Sequence, residues 1–398
     1  MSKTRKILLF AGLTVFVFVV GGLGGVFFRD RVIPSILASF PSLSRADAFR
    51  NFVGNTTVIE RKEQLIVRED DSVDAIVSQP ATAVVNIISA VPKGTTGSVF
   101  QEGKSRTGVL LTNDGVIVTY ADSSSDEGSV TMVPDGSSVK DAAFHVLLHD
   151  GSSHEATFIG NDRLTNLSFF KIEANNLPAI QFANSDDAAP GKKLVAIGNA
   201  YEEYQNRFSI GVLSNRNKLF NLSGKTVASS EKWEGVFETD HADPEVFVGG
   251  PAVNFRGEMV GLFGDVELDG KNEYFLLPSN VVRDSLGRVL SRTLSERASL
   301  GAYYLTLTKA SAVGNGIVSR DRGALIYSPS GKTGLSVLSG SAADVAGLRY
   351  GDIVIEVNGK EINLDNPLSV AIGRLSKGES TELLVLRNGS EVKIPVQL

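Results

Sequence analysis

Apolar positions along the chain form two kinds of run. The first is a single charge-free stretch, Ile7 to Phe28. As a helix it would extend roughly 33 Å, enough to cross a bilayer core. Lys3, Arg5 and Lys6 precede it, and Arg29, Asp30 and Arg31 follow. That weak contrast favours a cytoplasmic N-terminus. A cleaved signal peptide would carry a shorter apolar region, about 7–15 residues, and an A-x-A-like site after it. No such site follows, so the pattern predicts an uncleaved single-pass anchor at 7–28, with residues 1–6 cytoplasmic. Residues 29–72 scatter Val32, Ile33, Ile36, Leu37, Phe40, Phe49 and Phe52 among polar residues. They read as a linker, with room for a short amphipathic helix against lipid.

The second kind of run starts near Ser72. DSVDAIVSQPATAVVNI opens as a helical turn, breaks at Pro80 and continues as a strand. GVLLTNDGVIVTY, HVLLHDGSSHEATFIG, LSFFKI, KLVAIGN, RFSIGVLS, EGVFETD, PAVNFRGEMVGLFGD and EYFLLP follow, separated by turn residues. Asn113-Asp114-Gly115 and Phe255-Arg256-Gly257 stand where hairpins would reverse. Short strands at such regular spacing predict a β-barrel or sandwich. Pro278 to Leu290 predicts a helix, with Ser279 as N-cap and Val282, Leu286 and Leu290 on one face.

A second unit begins near Glu296. LRYGDIVIEVNGKEI reads as strands and NPLSVAIGRL as a helix. In that helix Asn366 suits the cap and Pro367 the first turn. Leu368, Ala371, Ile372 and Leu375 recur at helical spacing. Asn388-Gly389 is a type I′ signal between two alternating runs.

The 398 residues suit two folded domains. A net charge of −6 with no long basic run excludes nucleic acid as a partner. The absence of cysteine excludes disulfides, thiol catalysis and thiolate metal sites.

SQPATAVVNI, GVLLTNDGVIVTY, HDGSSHEATFIGNDRLTNLSFFKI, LPAIQFANSDDAAPGKKLVAIGNA, ETDHADPEVFVGGPAVNFRGEMVGL and LLPSNVVRDSLGRVL occur in an order that resembles the HtrA family of serine proteases. SGSAADVAGLRYGDIVIEVNGKEI resembles an HtrA-type PDZ domain. The resemblance covers roughly residues 73–398. It implies a mostly β chain, with a trypsin-like double β-barrel at 73–292 and a PDZ domain at 296–398, behind the membrane helix. Family members cleave peptides with a Ser-His-Asp triad and a backbone oxyanion hole.

The three catalytic positions do not match that pattern. After Val118-Thr119 the family has two residues and then histidine, and Asp122 stands there. The family's aspartate precedes an LAxxKI run, and Asn166 stands before LSFFKI. The serine precedes Gly-Gly-Pro, and Val248 stands before Gly249-Gly250-Pro251. The turn from Asp243 to Val248 is one residue longer than the family's and lacks its glycine. Valine is no nucleophile, an aspartate of ordinary pKa near 3.9 is a poor base for a hydroxyl, and asparagine stabilises no imidazolium. The resemblance therefore implies a scaffold whose triad is vacated at Asp122, Asn166 and Val248.

The PDZ resemblance implies a peptide groove. Its carboxylate-binding loop would be Ser299-Leu300-Gly301-Ala302, continued by the strand from Tyr303. The opposite wall would carry Leu368, Ala371, Ile372 and Leu375. Ser311 to Gly334, long and polar, would be able to cover the groove.

Other residues invite weaker readings. His145, His149 and His154 would suit a metal only if they converged, and solvent-facing strand positions are the simpler reading. His241, near the vacated nucleophile, reads as a surface substitution rather than a displaced base. Ser123, Ser124 and Ser125 read as a polar loop. Ser230-Glu231-Lys232 has a Ser–Lys spacing, but in a loop it carries little. Asp240 and Asp243 read as solvated carboxylates.

The sequence thus predicts a non-catalytic, extracytoplasmic HtrA-like chain that needs no cofactor or metal and binds C-terminal or unfolded peptides. It would form a homotrimer or join active HtrA relatives. An active endopeptidase with an unrecognised nucleophile and a purely structural envelope protein are the alternatives.

Overall fold

The computed structural model describes residues 16, 21, 69–90, 105–120, 143–200, 205–224, 227–268, 270–314, 320–328, 330 and 335–398. The predicted anchor, apart from Phe16 and Gly21, lies outside the described residues, as do most of the linker, Asp122 and Ser123 to Ser125. Among the described residues no helix is long and apolar enough to cross a membrane. The chain divides into Met1–Ile66 and Val67–Leu398, and both predicted domains belong to the latter.

The first barrel comprises β1 (Val84–Ala90), β2 (Ser105–Leu110), β3 (Val116–Tyr120), β4 (Ala143–Leu147), β5 (Ser153–Asp162) and β6 (Leu167–Ile172). It closes in the order β1-β2-β3-β6-β5-β4. Leu167, Ser168, Phe169 and Phe170 are all fully buried. This strand has the barrel interior on one side and neighbouring elements on the other, so LSFFKI does not alternate. Phe170 meets Phe144 and Phe158 edge-on, with centroids 5.0 and 5.3 Å apart. Burial of each such side chain contributes about 1.5–3 kcal/mol.

The second barrel uses β7 (Gln181–Phe182), β8 (Lys193–Ala200), β9 (Gln205–Asn221), β11 (Glu234–Thr239), β12 (Pro251–Val253), β13 (Glu258–Leu268) and β14 (Lys271–Pro278). Its order is β12-β8-β9-β11-β14-β13, closed by β12 on β13, with β7 parallel on β13. The short β10 (Ala228–Ser229), between β9 and β11 in sequence, leaves this barrel for the C-terminal sheet. That sheet adds β15 (Tyr303–Thr306), β16 (Ala324–Ile326), β17 (Ile353–Val357), β18 (Lys360–Glu361), β19 (Ser380–Arg387) and β20 (Ser390–Gln397). The order is β10-β15-β16-β17-β19-β20, with β18 on β17. Asn388 and Gly389 both take positive φ, 50° and 83°, as a type I′ turn demands.

The helices are α1 (Glu69–Thr82), α2 (Ser279–Leu290), α3 (Lys309–Gly314), α4 (Ala342–Val345) and α5 (Leu368–Gly373). Several sequence expectations need correction here. Pro80 lies within the last turn of α1 and does not break it. Ser279 is the first helical residue and not the cap, because its hydroxyl donates to Ala183 O at 2.9 Å. Leu290 is 60% exposed, since the buried face runs through Val282, Leu286 and Val289. Asn366 does not cap α5; Pro367 holds that place, and the Asn366 amide donates to Glu361 O. Leu375 lies beyond the end of α5.

Candidate functional site

The end of β3 carries the first part of the site. Thr119 donates its hydroxyl to Thr107 O at 2.7 Å, and Tyr120 is fully buried, its ring edge-on to Phe275. Asn166 closes the turn between β5 and β6 at φ 58°, a conformation asparagine tolerates better than most residues. It is fully buried. Its Nδ2 donates to the Tyr120 hydroxyl at 3.0 Å, and its Oδ1 accepts from Lys232 Nζ. The side chain at the family's acid position is therefore held at both ends by groups that are not histidine.

Val248 follows the 3₁₀ turn Pro244–Phe247 and packs against the barrel core. The Val246 N–H donates to Asp243 O at 3.2 Å, that of Gly249 to Phe263 O at 2.9 Å and that of Gly250 to Phe247 O at 2.8 Å. The Gly249 donor is spent on β13, and those of Val246 and Gly250 are spent inside the turn. An oxyanion hole needs N–H groups aimed at substrate.

The predicted groove residues converge in the C-terminal domain. Leu300, Ala302, Leu368, Ala371 and Ile372 share one buried cluster with Tyr304, and Leu375 packs against it. Tyr303 is half-buried on β15. Gly301 takes φ 77°, and a Cβ there would lie 2.2 Å from that of Ser341, so only glycine fits this loop.

The predicted groove is occupied by a segment of the barrel domain. Ala228 and Ser229 of β10 pair antiparallel with Tyr304 and Tyr303, and Ala228 joins the buried cluster. The Ser230 N–H donates to Ala302 O and the Ala302 N–H to Ser230 Oγ, both at 2.9 Å. Glu231 Oε1 accepts from Leu300 N at 2.9 Å, Gly301 N at 2.8 Å and Ser299 Oγ at 3.1 Å. Two residues on, Trp233 N donates to Leu164 O at 2.7 Å. Glu234 accepts from the hydroxyls of Tyr304 and Thr306. Burial pushes its carboxyl up to about 7 against those two hydrogen bonds. From the far wall, α5 presses on the turn that carries Asn166: a Cβ at Gly373 would lie 2.5 Å from Leu164 Cδ2.

The side chains of Ser230 and Glu231 thus bond to the C-terminal domain and that of Lys232 to Asn166, so they form no Ser–Lys pair. His241 is buried, not a surface residue, because it fills the space left by Gly211 and meets Phe263 edge-on at 5.4 Å. Burial lowers its pKa, outweighing the Leu194 backbone and Asp240. Asp240 accepts from Val212 N at 2.6 Å and stays exposed. His145 lies on β4 and His149 in the turn after it, and His154 on β5 pairs with Val146, so the rings do not converge. Among the described residues no group of three His, Cys, Asp or Glu is placed to hold a metal. The sequence marked Lys232 only through its Ser–Lys spacing, and it gave no signal for the roles of Tyr120 and Glu234.

The trypsin-like peptidase domain family matches residues 96–262, and the PDZ domain family matches 311–398. A probable periplasmic serine endoprotease DegP-like of Chlamydia muridarum is 30% identical over 294 residues, 73% of this chain and 53% of that protein. The periplasmic serine endoprotease DegP of Escherichia coli is 29% identical over 257 residues, 64% of this chain and 51% of that protein. The chain thus spans about half the length of these curated relatives. The solved HtrA-type protease AlgW with tripeptide aligns at TM-score 0.58 and 23% identity, over 81% of this chain and 95% of its own. AlgW with decapeptide aligns at 0.57 and 21%, over 81% and 96%. Two closed barrels of trypsin-like type, a PDZ domain behind them and this run of relatives agree, and the chain belongs to the HtrA family.

Proposed function

We propose that this chain is a membrane-anchored HtrA-like pseudoprotease, with its folded domains on the extracytoplasmic side. Its PDZ groove binds C-terminal or unfolded peptides, and it acts as a homotrimer or in association with active HtrA relatives. The observation that carries the non-catalytic half is the pair of positions 166 and 248. Asn166 is bonded to Tyr120 and Lys232, and Val248 offers no nucleophile. The periplasmic naming of relatives supports the compartment, and the peptide complexes of AlgW support a ligand-binding PDZ domain. Residues 7–28 would supply the anchor.

Relatives named as endoproteases favour a second reading, an active enzyme with an unrecognised nucleophile. The filled groove favours a third, a structural envelope protein. The deciding assay presents unfolded casein to the full chain in detergent, with and without hydrophobic C-terminal peptides and beside an active HtrA protease. A fluorophosphonate probe reports any activated serine. No cleavage and no labelling are expected. Labelling that survives repurification would overturn the pseudoprotease reading.

A further inference from the structure

We infer that the PDZ groove carries its own resident ligand, residues 227–231 of the barrel domain, with the Glu231 side chain standing in for a C-terminal carboxylate. The inference rests on the reading of this groove as a peptide site and adds its regulation. A PDZ domain recognises a peptide by two devices, an added antiparallel strand and a nest of backbone N–H groups around a carboxylate. Both are satisfied internally. Ala228 and Ser229 supply the strand against β15. Leu300 N and Gly301 N both donate to one oxygen of Glu231. Ala228, 7% exposed, joins the apolar cluster of the groove.

An external peptide must therefore displace this segment before it binds. The displacement would not stay local. Lys232, next in sequence, holds Asn166, and Trp233 holds Leu164 beside it. A ligand in the groove thus pulls on the turn at the vacated acid position, through five consecutive residues.

The chain contains no cysteine, so a reporter disulfide can be placed cleanly. Ser229 and Tyr303 are cross-strand partners. Tyr303 gives its N–H to Ser336 O and accepts from Tyr327 N, so it forms no backbone pair with β10 and its Cα lies close to that of Ser229. The full chain in detergent with Ser229→Cys and Tyr303→Cys is oxidised mildly. Leu386→Cys with Glu391→Cys, across the β19–β20 hairpin, serves as the control. The expected result is crosslinking as complete as the control, slowed at least tenfold by the free-ended peptide Lys-Thr-Val-Ala-Val at saturation. In the cysteine-free chain, Glu231→Gln should tighten that peptide at least tenfold by fluorescence anisotropy. A control that crosslinks while the reporter does not overturns the resident ligand. Full crosslinking, with no peptide bound even by Glu231→Gln, supports the resident ligand and instead removes the peptide-binding reading. Equal peptide affinity in wild type and Glu231→Gln removes the role of Glu231 as the carboxylate stand-in.

Discussion

Glu234 and His241 are buried ionisable residues whose shifts have opposite effects on stability. The Glu234 carboxyl is raised from 4.5 to about 7, chiefly by burial. The folded chain therefore keeps a proton that the unfolded chain releases in this window. Its contribution is complete below 4.5 and is lost as pH rises through about 7, with a ceiling on the order of 3 kcal/mol. His241 is shifted down by burial, so its contribution is present above 6.5 and is lost as pH falls. Thermal melts from pH 5 to 8 should separate them. Glu234→Gln should remove the fall in Tm toward high pH, and His241→Phe should remove the fall toward low pH. Neither residue's burial was legible in the sequence. Glu234 opens EGVFETD, where alternation says nothing of a second domain lying over it. His241 stands in the polar text HADPE, and only Gly211, some thirty residues earlier, makes room for its ring.

At the level of elements, the sequence revealed strands and their order well, and their ends poorly. Hairpin turns such as Asn388-Gly389 are local chemistry, so they read directly. Caps were misread because the Ser279 hydroxyl turns away to donate to the distant Ala183 O, and the Asn366 Oδ1 that would cap the helix accepts instead from Arg374 Nη1. Positions 166 and 248 were legible as departures from the spacing of the family the sequence resembles. Their surroundings were not, because Tyr120 reads as the last apolar residue of a strand and Lys232 as part of a loop. On the proposed pseudoprotease reading, those surroundings bear on repair. Asp122→His, Asn166→Asp and Val248→Ser together would restore the residue types but not the elements that present them. The turn around Val248 would still spend the N–H groups of Val246 and Gly250 internally and that of Gly249 on β13. Lys232 would still sit on residue 166 and compete with an imidazole for its carboxylate. The triple variant should fold and should remain unlabelled by a fluorophosphonate probe. Labelling at serine 248 would show that the turn is freer than its hydrogen bonds imply.

Across the whole molecule, the contact between barrel and PDZ domain is the feature that no local pattern announces. It joins residues 228–234 to 299–306, and 162–164 to 297 and 373, with no period for a sequence reading to detect. Its polar centre is Asp162, fully buried at the end of β5. Arg297 Nε and Nη2 grip both of its oxygens at 2.7–3.1 Å, Ser285 Oγ donates at 2.6 Å and Leu164 N at 3.2 Å. Arg297 Nη1 continues to Gly373 O at 2.8 Å, so one guanidinium ties the first barrel to α5. A buried ion pair is a weak source of net stability, but removing one partner strands the other charge at a cost of about 3–5 kcal/mol. Arg297→Met should therefore lower Tm sharply and expose the 291–299 connection to limited proteolysis. Arg297→Met with Asp162→Asn should recover much of that loss, because no charge remains stranded. If the single and double variants melt alike, the pair serves only as surface complementarity. The orientation of the PDZ domain would then rest on the apolar contacts and on the strand it borrows from the barrel.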